Sequence, residues 1–282
     1  MSVHVPRAGV PAGPAAGPTA GRDPLIAGLP NLRDIGGHPT RDGGRVRVGF
    51  LYRSTDLSRI DGTDAAALAR LGIRTVYDLR TAAERTGQPD RLPPGSAYVV
   101  ADILGDAPGM TPAEFAMLFE DPEAAQKTLG GGRSALFFVD AYRAFVRLDS
   151  SRAGYRRLFA DLAGGASTPA LFHCTTGKDR TGWAAAALLM LLGVPDDVVM
   201  EDYLLSGLLL LPVVRPIVDA FRARGGDPEL LWPLVGVRPE YLEAALDEVR
   251  RLFGSIEGYF AEGLGIDAPS REALRAMLVE RG

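Results

Sequence analysis

Apolar positions in this chain cluster in short runs through its first two thirds and spread into helical stripes in its last third. Val46–Tyr52, Arg74–Leu79, Ala97–Ile103 and Thr168–His173 are short runs rich in β-branched and aromatic residues, the pattern of strands. Asp61–Leu71 reads as a helix stopped by Gly72, and Ser134–Leu148, Arg152–Ala163 and Thr181–Leu192 also read as helices, the last nearly all apolar and stopped by Gly193. Residues 104–133 are rich in Gly, Pro and Asp and read as a loop with one short helix around Pro112–Phe119. Further helices are predicted over Asp196–Leu205, Val213–Arg224, Glu240–Phe253 (with Pro239 in its first turn), Ile256–Glu262 and Ser270–Glu280. Strands alternating with helices predict an α/β fold of βα units around a central sheet.

Composition narrows the class. The 282 residues suit one large domain or two small ones, and 46% apolar with 23% charged residues is the balance of a globular protein. Residues 1–24, rich in Pro, Gly and Ala, read as a flexible tail, and 25–282 as a single domain. A net charge of −4 gives no general attraction to nucleic acid or an anionic membrane. The longest apolar stretches, Ala184–Leu192 and Leu208–Val214, are shorter than the ~18–20 residues that span a bilayer. With no apolar leader segment either, no stable membrane insertion is expected, and a cytoplasmic location is. Three scattered histidines without HExxH spacing give no zinc site, and no cofactor is expected. A single cysteine rules out an intrachain disulfide.

That cysteine lies in the chain's most informative segment, His173-Cys174-Thr175-Thr176-Gly177-Lys178-Asp179-Arg180-Thr181-Gly182. It reads as strand, Gly-containing loop, helix, with Cys174 and Arg180 separated by five residues. A cysteine reacts as its thiolate and needs positive surroundings to form it, which a loop entering a helix N-terminus supplies. The same amides suit three phosphate oxygens, and Arg180 adds a planar two-pronged contact. Gly177 allows the bend, and Thr181 is placed to hydrogen-bond the thiolate or cap the helix. The implied reaction is attack by Cys174 on phosphorus, then hydrolysis of a phosphocysteine. A carboxylic acid must protonate the leaving oxygen, and Asp179 in the loop and Asp78 at a strand end both qualify. His173 reads as a supporting residue that tunes the thiolate, and Arg80 and Glu84, four apart, as a pair at a helix start. A nucleotide-binding G-x4-G-K-[ST] loop is excluded, since Phe172 stands at its first glycine and Asp179 follows Lys178.

The segment resembles the H-C-x-x-G-K-D-R-T-G signature of the bacterial and fungal tyrosine-phosphatase-like group, the atypical dual-specificity phosphatases. Asn31-Leu32-Arg33-Asp34-Ile35-Gly36-Gly37, Leu51-Tyr52-Arg53-Ser54 and Asp78-Leu79-Arg80 with Glu84 resemble the N-terminal blocks of the same group, in the same order. The resemblance implies a mostly parallel sheet flanked by helices, with a helical lid drawn from residues 195–240. It implies Cys174 as nucleophile, Arg180 as phosphate clamp, Asp179 or Asp78 in acid–base catalysis, and Lys178 on an additional negative group of the substrate. Thr175 and Thr176 occupy the variable loop positions, where relatives often carry an apolar or small residue, and bear on substrate preference. The implied substrates are phosphorylated proteins or phosphoinositides, with no nucleic-acid partner. Two rival readings are a phospho-ligand binding module without turnover, and a sulfurtransferase or arsenate reductase with a cysteine in an anion loop. Retention of Cys174 and Arg180 opposes the first; the Arg180-Thr181-Gly182 ending opposes the second.

Overall fold

The computed structural model describes residues 26–108, 114 and 117–281. The expected tail over 1–24, and half of the short helix expected around Pro112–Phe119, lie outside the described residues. The central sheet has strands β1 (Arg33–Asp34), β3 (Leu51–Ser54), β4 (Thr75–Asp78), β5 (Ala97–Val100) and β6 (Ala170–His173), in the order β1-β3-β6-β4-β5. All neighbours are parallel except β1 and β3. The fold is therefore the expected α/β class, a mostly parallel sheet flanked by helices.

The period-2 alternation of strand side chains builds two cores from one sheet. Tyr52, Val76 and Leu171 face a cluster with Ile26, Leu29, Leu32, Leu57, Ile60 and Leu68, the last from helix α1 (Gly62–Ala69). Leu51, Tyr77, Ala170 and Phe172 face the larger cluster on the other side. There they meet α4 (Arg133–Arg147), α5 (Asp149–Ala163), α6 (Arg180–Leu191), α9 (Pro239–Phe253) and α11 (Ala268–Leu278), which follow the shorter helices α2 (Ala82–Gly87) and α3 (Pro122–Leu129). With both faces covered, β3, β4 and β6 are buried along their whole length, as central parallel strands are.

Four elements differ from the sequence expectation. Val46–Tyr52 is two strands: Gly49, at φ +83°, ends the extended run, so β2 (Gly44–Val46) leaves the sheet and pairs with the C-terminal β7 (Val279–Arg281). Because of that pairing the last helix ends at Leu278 and does not run on to Glu280. Within 104–133, Pro122–Leu129 is helical: Asp121 accepts the Ala124 N–H at 2.9 Å and Pro122 fills the first turn.

The fourth difference is α7 (Asp196–Ala223), one 28-residue helix where two were expected. Its prolines explain this. Pro212 and Pro216 forgo helical bonds to the carbonyls of Leu208 and Pro212, and residues 208, 212 and 216 all lie on the exposed face, where water satisfies those carbonyls. The helix is long and apolar enough to cross a membrane by length and composition, with a mean hydropathy of 1.8 over 18 residues. About a third of that window is buried within the fold. Tyr203 joins the main core, and Leu210, Val214, Val218 and Phe221 form a satellite core. That satellite core includes Ala125 and Leu129 of α3, and Leu230, Leu231, Leu234 and Val235 from a turn at Pro228–Leu230 and α8 (Trp232–Val235).

Candidate active site

The strand register brings Ser54, Asp78 and His173 level at the carboxyl ends of β3, β4 and β6. In open parallel sheets this is the edge where ligands bind. Cys174 follows β6 directly, only 1% exposed, and the chain turns through residues 175–179 into α6.

The loop is shaped by what holds its carbonyls. The Cys174 carbonyl lies 3.0 Å from His173 Nδ1. The Thr175 carbonyl accepts from the Asp56 amide at 3.1 Å, that of Thr176 from Asn31 Nδ2 at 2.9 Å, and that of Gly177 from Arg53 Nη2 at 2.8 Å. In a planar trans peptide the N–H points opposite to the C=O. Four consecutive carbonyls held outward therefore turn the amides of Thr175, Thr176, Gly177 and Lys178 to the concave side, the arrangement that receives a phosphate. Gly177 has φ +66°, and a Cβ there would stand 2.1 Å from the Ser54 carbonyl oxygen, so only glycine lets the loop lie this close to β3.

Arg180 opens α6 and is held by a fork-to-fork pair with Glu84, Nη1 to Oε2 at 2.8 Å and Nη2 to Oε1 at 2.7 Å. Glu84 is itself fixed by the capping box of α2, its Oε2 accepting from the Thr81 N–H at 3.0 Å. Thr175 Oγ1 also donates to Glu84. Burial raises the Glu84 carboxyl, but the charge and hydrogen bonds of Arg180, with those of Thr175 and Thr81, outweigh it and hold the group at about 2. The expected Arg80–Glu84 pair is not formed. Thr81-x-x-Glu84, a sequence-level capping signature, was the signal that Glu84 belongs to the start of α2 and faces back toward the loop.

Arg80 turns the other way. Its Nη2 bridges Asp78 Oδ2 and Asp90 Oδ2, each at 2.7 Å, and Tyr98 donates to Asp78 at 2.6 Å. Desolvation raises the Asp78 carboxyl, but Arg80, His173 and Tyr98 more than reverse this and hold it well below the usual carboxylate range. His173 Nε2 lies 3.2 Å from Asp90. Burial pushes the imidazole down, yet the proximity and negative charge of Asp90, with the charge of Asp78, leave it raised above its usual value. Ligand atoms of Asp78, Asp90 and His173 lie within 4.8 Å of one another, the spacing of a metal site. The Arg80 guanidinium already sits between the two carboxylates, so the cation there is supplied by the chain itself.

Lys178 and Asp179 lie at the loop's mouth. Asp179 Oδ2 pairs with Lys178 Nζ at 2.9 Å, and its Oδ1 accepts from the Tyr142 hydroxyl at 3.0 Å. Lys178 also donates to the carbonyls of Leu234 at 2.8 Å and Gly236 at 3.1 Å, and lies 4.6 Å from the Phe138 ring centre. The end of α8 and the glycine after it, inside the region expected to supply a lid, thus dock on the loop through Lys178. Thr181 makes neither expected bond. Asp179 holds the N-cap position, and Thr181 Oγ1 is buried without a partner. The loop gathers the candidate residues Cys174, Thr175, Thr176, Gly177, Lys178, Asp179 and Arg180 at one point, while Asp78 stands in the separate Arg80 network. Asn31, Arg53, Asp56, Asp90 and Tyr142 hold the loop, His173 or Asp179 and were not singled out as site residues.

An amide cradle entering a helix, with a cysteine at its base and a braced arginine at its far end, defines an anion site of the cysteine-phosphatase kind. The chain belongs to the tyrosine phosphatase family, whose model matches residues 24–280. It is 32% identical to the triple specificity protein phosphatase PtpB of Mycobacterium tuberculosis over 279 residues, covering 90% of this chain and 98% of that one. It is equally 32% identical over 269 residues to a Cupriavidus necator protein assigned as a tyrosine-protein phosphatase, covering 95% and 92%. A Nostoc commune tyrosine-protein phosphatase is 28% identical over 241 residues, covering 82% and 74%.

Proposed function

We propose that the protein is a cysteine-dependent phosphomonoesterase acting on phosphotyrosine, with phosphoserine, phosphothreonine and phosphoinositides as further substrates. The observation that carries this reading is the set of four outward-held carbonyls beside Cys174, which aims the loop amides at a phosphate next to the thiol. Cys174 attacks phosphorus, the leaving oxygen departs with a proton, and water then opens the phosphocysteine to release inorganic phosphate. Arg180 clamps two phosphate oxygens while Glu84 holds its plane in position.

Asp179 is the general acid in this reading. It stands in the loop with its side chain partly exposed, whereas Asp78 is buried and committed to Arg80. Lys178 moving to a second anionic group on the substrate releases Asp179 from its ion pair as the proton is needed. The wide specificity follows from this lysine and from the word "triple" in the name of the mycobacterial relative.

The test is phosphate release from para-nitrophenyl phosphate in the presence of a chelator, followed by a panel of phosphotyrosine, phosphothreonine and phosphoinositide substrates. Cys174→Ser is expected to abolish turnover, and wild-type activity in that variant would overturn the assignment.

A further inference from the structure

The cations around the loop differ in how they are neutralised. Arg180 has Glu84, Lys178 has Asp179, Arg80 meets Asp78 and Asp90 with Asp56 4.0 Å away, and His173 lies beside Asp90. Arg33 and Arg53 must share one carboxylate, Asp202 of α7. Arg33 Nε and Arg53 Nη1 each lie 2.9 Å from its two oxygens. All three side chains are 5% exposed or less, and Ser206, which accepts from both guanidiniums, is neutral. Within this triad one buried positive charge is thus left over, and Arg53 carries it to the loop through its bond to the Gly177 carbonyl.

A buried cation without its own counterion is costly, so such a charge persists where an anion comes to meet it. Burial and the Arg33 charge lower Arg53 to about 10, with Asp202 opposing them, so Arg53 remains a cation at neutral pH. A phosphate received by the loop would complete the set, and Cys174 lies near enough for its charge to act on Arg53.

We propose that Arg53 is a positioning residue of the phosphate loop, fixing the Gly177 peptide and supplying from behind the positive charge that balances the bound phosphate. This deepens the phosphatase reading and rests on it. Arg53 does not touch substrate; it acts through the Gly177 peptide and through its field, which is strong in a water-excluded setting.

A mere brace and a charge source part company at Asp202. Removing the carboxylate charge breaks the network but leaves more positive charge under the loop. Binding of inorganic phosphate by calorimetry separates them, alongside the KM and kcat for para-nitrophenyl phosphate and a melting scan for each variant. Arg53→Met is expected to weaken phosphate binding and raise KM by about tenfold or more, a loss of the size expected for one charge-assisted hydrogen bond. Arg53→Lys, which keeps the charge, is expected to recover most of that loss and serves as the test if Arg53→Met does not fold. Asp202→Asn is expected to bind phosphate as tightly as wild type or more tightly while melting lower. Equal weakening in Asp202→Asn and the Arg53 variants would overturn the charge argument, as would unchanged phosphate binding in Arg53→Met. A wild-type protein that binds no phosphate would overturn the phosphatase reading itself, and this inference with it.

Discussion

Glu84 grips Arg180 with both carboxylate oxygens, at 2.7 and 2.8 Å, and does so from the first turn of a six-residue helix whose start it also caps. One carboxylate therefore sets the helix and aims the guanidinium together. Glu84→Gln keeps the shape and one acceptor but removes the charge. The expected result is a fall in kcat/KM of about 10- to 100-fold, the worth of a charge-assisted bond, read by steady-state kinetics.

The same residue makes an acid-stability prediction. The Glu84 carboxyl is depressed from 4.5 to about 2, so its contribution is fully present above its unfolded value and is lost as pH falls through about 2. The contribution is on the order of 3 kcal/mol at most. Urea midpoints for wild type and Glu84→Gln, measured from pH 7 downward, are expected to differ at neutral pH and converge in acid. A difference that persists unchanged in strong acid would contradict the ion-pair account.

For the leaving-group proton, Asp179→Asn is expected to slow alkyl phosphates far more than aryl phosphates, which leave without help. Asp78→Asn is expected to show no such leaving-group dependence. It should instead lose about 3 kcal/mol of stability, because it strips a partner from the buried Arg80. Leaving-group dependence in Asp78→Asn alone would reverse the assignment.

His173 gives a prediction of opposite sign. Its folded imidazole is raised above 6.5, since Asp90 and Asp78 outweigh burial, so its contribution is present below 6.5 and lost as pH rises through the raised value. Denaturation midpoints of wild type are expected to decline on the alkaline side more steeply than those of His173→Gln. Parallel curves would mean that the ring is neutral throughout.

Lys178 ties the loop to the carbonyls of Leu234 and Gly236. In Lys178→Met, hydrogen exchange over residues 228–238 is expected to rise at least tenfold, about 1.4 kcal/mol of local opening, while the central strands stay protected. Unchanged exchange over that segment would show that the satellite core alone holds it.

Much of this was legible in the sequence because it is local. The C-x5-R spacing, the strand before it and the apolar helix after it are decided within residues 170–191, and the structure brings them together at the carboxyl edge of the sheet. What was not legible depends on partners far apart in the chain. Arg53 meets the Gly177 carbonyl across 124 residues, and Asn31 meets Thr176 across 145. Nothing local marks Asp90, which reaches Arg80 and His173 only after the fold closes. The single helix α7 was hidden for a different reason. Proline is read as a breaker, and only the exposed four-residue spacing of Pro212 and Pro216 shows why it does not break here.

That helix has a mechanical consequence. Near its start Asp202 is bolted to the arginines under the phosphate loop, and toward its end Phe221 sits in the satellite core, from which Leu234 and Gly236 return to Lys178 in the same loop. The two attachments close a ring of contacts that runs along one helix. Phe221 is thus connected along α7 to the arginines under the loop and through the satellite core to Lys178, so a distant apolar cluster reaches both sides of the anion site without contributing a residue to the loop.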